Sequence, residues 1–213
     1  MKTKMRAWLL ATILLAGVPA VAAEMAPDAL VKSTAQDVLA IVKQDKDIQA
    51  GNTRKVLDLV EAKVLPHFDF NRMTILAVGR HWQKATPAQQ KALTSEFRTM
   101  LVRTYSNSLS SYRDQTIDYK PLKLQAADTD VTVKTVVNQP GGQPIPIDYS
   151  LEKTANGWKV YDVAVDNVSL VTNYRSSFSS EIQSKGIDSL IKTLGDKNRR
   201  EAGGSEKTPA KQK

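Results

Sequence analysis

The sequence predicts an α+β domain in which helices and strands are segregated along the chain. Two observations carry this. Apolar residues recur every three or four positions up to about Tyr112 and again after Ser169, but between Ile117 and Val165 they alternate with polar ones. Short turn signals, Pro140-Gly141-Gly142 and Asn156-Gly157, separate the alternating runs, so consecutive strands fold back as an antiparallel meander of four.

Helical periodicity begins at Pro27, whose missing N–H costs nothing in a first turn. Leu30, Val31, Thr34, Val38, Ile41 and Val42 share one face up to the polar stretch 43–47. Asn52 or Thr53 caps a second helix, with Val56, Leu59, Val60 and Val64 on one side. Pro66 stops it near Leu65, because the proline ring disfavours helical backbone in the residue before it. A short helix is expected over 72–78, ending at Gly79. The longest helix opens with Thr86-Pro87-Ala88-Gln89, a capping box with proline at the first helical position. Leu93, Phe97, Leu101, Tyr105, Leu109 and Tyr112 form its apolar stripe opposite Lys91, Glu96, Arg98 and Arg103, which predicts a face buried along its whole length.

Ile117 and Tyr119, then Leu122 and Leu124 beyond Pro121, predict one kinked strand. Val131, Val133, Thr135 and Val137 mark a second, and Ile145, Ile147, Tyr149 and Leu151 a third. The Asn156-Gly157 hairpin leads into a fourth over 158–165. Ser169 is the expected N-cap of a helix carrying Val171, Tyr174, Phe178 and Ile182, closed by Gly186, and a last short helix covers 187–194.

The chain ends frame this domain. Lys2, Lys4 and Arg6, the apolar run 7–16 and the small-residue site Ala20-Val21-Ala22 (or Val21-Ala22-Ala23) predict a cleavable signal peptide over 1–23, cut after 22 or 23. The apolar run is shorter than the roughly 20 residues a membrane span needs. Val18 stands where a lipoprotein would need its cysteine. Residues 195–213 are polar and basic and are expected to be a disordered tail, leaving 24–194 as a single domain. Leader and tail each carry +3 of the net +8, so the folded part holds only +2, too little to mark a nucleic-acid binder.

No catalytic constellation is visible. There is no Cys, which excludes disulfides, thiol chemistry and cysteine-ligated metal. The two histidines, His67 and His81, have no partner at ligand spacing, and no phosphate loop, nucleophile elbow or calcium loop occurs. Asp69, Asp148, Asp162 and Asp166 lie near apolar stretches. Asp162, beside Tyr105 or Tyr149, is the one pair to nominate for acid–base work, although a structural role suits it better. The expectation is therefore no enzyme, no metal and no cofactor. The apolar stripes by themselves fit a closed core better than a cavity.

Two stretches resemble the MlaC (toluene-tolerance) family. Leu65-Pro66 through Phe70, Ala77-Val78-Gly79-Arg80-His81-Trp82, Ala85-Thr86-Pro87-Ala88-Gln89, Phe97 and Tyr105 make the first. Trp158-x-Val160-Tyr161-Asp162-Val163, Val168-Ser169-Leu170-Val171, Asn173-Tyr174-Arg175, Phe178 and Lys185-Gly186-Ile187-Asp188 make the second. Asn167 departs from the family's common Gly before the Val-Ser pair, but Asn tolerates left-handed backbone best among side-chain-bearing residues.

The resemblance implies an NTF2-like cone: helices on a curved, mainly antiparallel four-stranded sheet around an elongated apolar pocket. It implies a soluble, monomeric carrier of the Gram-negative periplasm whose cargo is a phospholipid. Its implied partners are an outer-membrane lipoprotein–porin complex and an inner-membrane ABC transporter with an MCE-domain subunit, and its implied role is outer-membrane lipid asymmetry. The pocket lining expected on this basis is Phe97, Leu101, Tyr105, Leu109, Val133, Ile147, Tyr149, Val163, Val171, Tyr174 and Phe178, with Trp158 and Val160 as ordinary core. On that expectation Leu101→Glu or Val171→Glu empties the pocket while the fold persists. Two other readings stay open: an NTF2-like small-molecule enzyme using Asp162, and a ligand-free periplasmic adaptor or chaperone.

Overall fold

A computed structural model describes residues 25–112 and 114–204; the expected leader and residues 205–213 of the expected tail lie outside the described residues. Helix α1, Pro27–Gln44, starts on its proline, and Asp45 ends it by accepting the N–H groups of Asp47 and Ile48 in the short helix α2, Lys46–Gln49. Helix α3, Thr53–Lys63, is capped by the Asn52 side chain and gives way at Pro66 to a single 3-10 turn, Leu65–His67. The Asp69 carboxylate accepts the Arg72 N–H at 2.8 Å, so α4, Phe70–Val78, begins two residues earlier than its periodicity suggests. A 3-10 segment, Gly79–Lys84, leads to α5, Pro87–Ser106, whose capping box forms as expected: Thr86 N–H donates to Gln89 Oε1 and Gln89 N–H to Thr86 Oγ1.

The long stripe divides. After Ser106 the chain tightens into a 3-10 segment, Asn107–Ser111, rather than running as α-helix to Tyr112. Ser and Asn side chains compete for backbone hydrogen bonds, and this stretch is made almost entirely of them. Leu109 and Tyr112 therefore leave the α5 face and pack near α1 and α3, while Tyr105 is 37% exposed.

The strands are β1 Thr116–Tyr119, β2 Asp130–Asn138, β3 Ile145–Thr154, β4 Gly157–Val165 and β5 Val168–Ser169, joined in that order into one antiparallel sheet. The sheet thus has five strands rather than four. The fifth is two residues long and pairs Val165 with Val168 across a turn in which Asp166 and Asn167 take φ of 50° and 64°. Asn167 does adopt the left-handed geometry in place of Gly. β1 stops at Tyr119, and Leu122 packs beneath the sheet while Leu124 stays 42% exposed.

Two further helices, α6 Leu170–Lys185 and α7 Ile187–Gly204, follow. α7 corrects the expected tail: the helix does not end at Leu194. Asn198 is 5% exposed, and its Nδ2 donates to the Glu96 carbonyl at 3.0 Å and to Glu96 Oε2 at 2.7 Å. Leu190, Leu194 and Asn198 recur every fourth residue, so one face continues although its last member is polar.

Burial is divided between the two halves. α4, α5, α6 and α7 close around Met73, Leu93, Phe97, Leu101, Val171, Phe178 and Leu190. Elsewhere α1 sets Leu30 and Val31 against Val131, Val133, Leu151, Trp158 and Val160 of the sheet. A smaller cluster, Val38, Val42, Ile48, Val56 and Leu59, ties α1 to α3. No helix among the described residues is long and apolar enough to cross a membrane.

Candidate functional site

The strand register decides which side chains share a face. Ile117 pairs with Val137 and Val137 with Ile145, making one apolar row across three strands. Tyr119, Thr135, Ile147 and Val165 make the next, and Val133, Tyr149 and Val163 another. Above these rows lies α1. The middle of its inward face carries the small residues Thr34 and Ala35, and between the helix and the strands lies a cavity of about 570 Å³.

Its walls are Leu30, Val31, Thr34, Ala35, Val38 and Leu39 of α1 and Ile117, Val137, Ile145, Ile147, Tyr149 and Val160 of the strands. Val64, His67 and Phe68 close one part, and Ser108, Leu109, Ser111, Tyr112, Gln115 and Gln139 border another, where Ser108 and Ser111 are exposed to solvent. The volume falls in the usual range for small-molecule sites, roughly 300–1,000 Å³.

Among the described residues the lining contains no carboxylate. Burial pushes the Tyr149 hydroxyl up to about 12, with a further contribution from Tyr119 and a partly opposing hydrogen bond from Thr135, so it stays protonated and neutral. Among the described residues no three His, Asp or Glu side chains are placed to hold a metal ion.

Both histidines are held below the ordinary imidazole value of 6.5. Burial is the main cause in each, assisted by Lys159 at His67 and by Arg80 and Lys84 at His81. The unfolded chain then binds protons more readily than the folded one, so stability is full above the unfolded value and declines as pH falls below it. Thermal melts between about pH 8 and pH 5 are expected to hold level above 6.5 and to drop below it, and the drop is expected to shrink in His67→Gln/His81→Gln. An unchanged acid slope in that variant would refute the assignment.

Asp162 has a structural position. Its carboxylate accepts the N–H of Val163 at 2.9 Å, the N–H of Val171 at 3.2 Å and the hydroxyl of Ser169, the N-cap of α6. It thereby fastens the start of α6 to β4. Tyr149 does not fit as its partner: Tyr149 pairs with Val163 while Asp162 pairs with Ser150, so the two lie on opposite sheet faces, and Asp162 does not line the cavity. Asp162→Ala is expected to cost about 1–3 kcal/mol through the orphaned N–H groups, seen as a lower unfolding midpoint, with ligand content unchanged.

Of the residues expected to line a pocket, Leu109, Ile147 and Tyr149 do border the cavity. The others do not. Phe97, Leu101, Val171 and Phe178 are buried in the helical core with Tyr174 packed against it, Val133 is buried under α1, Val163 packs beside it, and Tyr105 is partly exposed away from the cavity lining. The reason is geometric: the α5 and α6 stripes face each other, with Phe97 edge-on to Tyr174 at 5.4 Å and to Phe178 at 5.2 Å. Trp158 is core as expected, whereas Val160 belongs to both core and cavity wall. The α1 wall was not foreseen; the small residues Thr34 and Ala35 inside an otherwise bulky apolar face were the available signal.

Comparison with known proteins places this architecture. The toluene tolerance protein ttg2D of Pseudomonas putida is 28% identical over 186 residues, covering 85% of each chain. The intermembrane phospholipid transport system binding protein MlaC of Haemophilus influenzae is 20% identical over 172 residues, 79% of this chain and 80% of that one. The solved structure of a phospholipid-binding protein from Ralstonia solanacearum, in complex with a phospholipid, is 41% identical and matches with a TM-score of 0.77, covering 82% of this chain and 98% of that chain. A family model described as MlaC protein spans residues 32–196, from within α1 into α7, and on that match the chain belongs to the MlaC family.

Proposed function

We propose that this protein is a non-catalytic phospholipid carrier of the periplasm, in which α1 and the sheet form an NTF2-like cone around the acyl chains. The observation that carries the reading is the cavity: it is walled by apolar side chains on both the helix and the strands, its described lining holds no carboxylate, and the exposed Ser108 and Ser111 border it. Non-directional apolar contacts suit acyl chains, and the open border leaves the head group wet. The names of its relatives, a phospholipid transport binding protein and a phospholipid-binding protein, support the same ligand.

A carrier answers a physical need. At about 0.8 kcal/mol per methylene, a diacyl lipid with roughly 30 of them loses on the order of 20 kcal/mol on entering water, so unassisted crossing of an aqueous compartment is negligible. Enclosing the chains removes that barrier without any covalent step. Shuttling as a monomer between an outer-membrane lipoprotein–porin complex and an inner-membrane ABC transporter with an MCE-domain subunit, in the service of outer-membrane asymmetry, completes the proposal, with the leader as the means of export. No cofactor is required.

Native mass spectrometry of the mature protein, purified from periplasm without detergent, tests it. The expected result is a phospholipid adduct at stoichiometric occupancy. A clean ligand-free mass that persists after incubation with liposomes would overturn the carrier reading in favour of an adaptor.

A further inference from the structure

The segment Gly79-Arg80-His81-Trp82 and the helix residue Arg175 play no part in the cavity, yet the fold brings them together. Gly79 has φ of 60° and ψ of −135°, a backbone conformation that glycine adopts far more readily than other residues. A Cβ on it would lie 3.1 Å from Arg175 Nε and 3.2 Å from Arg175 Nη2. The guanidinium is therefore seated against bare backbone, although the residue as a whole is exposed. Four residues further along α6, Ser179 Oγ lies 3.2 Å from Nε2 of the buried His81, which fixes the Gly79–Lys84 segment to the helix.

Around this contact the charge is one-sided. Arg80 and Lys84 are exposed, and neither they nor Arg175 form an ion pair among the described residues. The Gly79–Lys84 segment and α4 contain no acidic residue. The single carboxylate of α6, Glu181, is occupied by the hydroxyls of Ser189 and Thr193 on α7. His81 reports the same field: besides burial, the charges that hold its pKa down are Arg80 and Lys84, with no anion opposing them.

We propose that Arg80 and Arg175, with Lys84 of the same segment, form a docking site for an acidic protein surface, separate from the cavity. A guanidinium already in contact with Gly79 on one side has less hydration to lose than a freely moving lysine, and its planar fork matches the two oxygens of a carboxylate. A bilayer fits this face less well, because membrane insertion needs exposed apolar side chains. The exposed large apolar residues, Met25, Tyr105, Leu124 and Val168, belong to neither the Gly79–Lys84 segment nor α6. The proposal rests on the carrier reading for the choice of partner: an acidic face on one of the two membrane complexes would hold the cavity in register for transfer.

The test uses the mature, lipid-loaded protein against the purified periplasmic MCE domain of the transporter, the purified outer-membrane lipoprotein, and vesicles of phosphatidylethanolamine with phosphatidylglycerol. Arg80→Glu/Arg175→Glu is expected to weaken binding to at least one of the two proteins by about tenfold or more, with melting temperature unchanged. Arg175→Lys is expected to cost less, because charge remains while the fork is lost, and Lys63→Glu on α3 is expected to cost nothing. Unchanged affinity for both proteins would overturn the proposal. So would charge-dependent binding to the vesicles that vanishes in the double variant while protein binding persists, since the occupant would then be a membrane. Native mass spectra of the same samples report lipid content separately, so loss of cargo bears on the carrier reading and loss of partner affinity on the docking site.

Discussion

Ile147→Glu is expected to yield a folded protein that purifies without lipid. Ile147 lies on the cavity-facing side of β3, between Thr135 and Val165 on the neighbouring strands, and is only partly buried. A carboxylate there can stay hydrated while the cavity holds water, so the fold has little to lose. Once acyl chains displace that water the charge must be stripped of its hydration, at a cost of several kcal/mol, which is enough to empty the site. Native mass spectra of detergent-free protein and thermal melts in parallel would show lost cargo with a melting temperature near that of the wild type. A full complement of lipid in this variant would mean that Ile147 does not face the chains.

Leu101→Glu, in contrast, is expected to lose the fold rather than the lipid. This reverses the expectation drawn from the α5 stripe. Leu101 is 5% exposed inside the core of α4 to α7 and does not line the cavity. Leu101→Ala alone is expected to cost about 2–5 kcal/mol through lost burial and the cavity left behind. The glutamate adds a buried unpaired charge, and the sum competes with a total stability of only about 5–15 kcal/mol. Urea unfolding of Leu101→Ala and the soluble yield of Leu101→Glu measure the two steps. A folded but lipid-free Leu101→Glu would put the α5 stripe back into the binding site.

The contrast between these two positions shows what the sequence could and could not convey. Local signals were reliable where a single chemical feature sets the backbone. The Thr86–Gln89 capping box, Pro66 and Gly186 act where their chemistry predicts, whereas the Asn156-Gly157 signal places the hairpin one residue off: the two-residue turn is Ala155-Asn156, and Gly157, at φ of 87°, already pairs with Thr154. The four main strands follow from alternation alone. Elements without such a marker were missed, as with the two-residue β5 and the polar continuation of α7 through Asn198. The site was harder for a different reason. Periodicity says that a face is apolar but not what it meets, and the α5 and α6 stripes satisfied each other through Phe97, Tyr174 and Phe178. Empty space between elements depends on side chains that fail to fill it, and Thr34 and Ala35 are ordinary residues until the strands opposite them are known.

One consequence of the cavity wall concerns the order in which the molecule is made. α1, which supplies Leu30, Val31, Val38 and Leu39, is the first described helix of the chain, whereas the strands it faces begin only at Thr116 and end at Val165. A chain synthesised or threaded N-terminus first therefore presents α1 long before its partner surface exists. Its anchor to α3 through Val42, Ile48 and Val56 can form early, because those residues are close in sequence. The cavity-facing side must wait, with its apolar residues exposed, until the last strand has paired. The same side chains that suit the mature protein to a greasy cargo make the half-finished chain adhesive, and its passage to the native state is where a holding chaperone has most to offer.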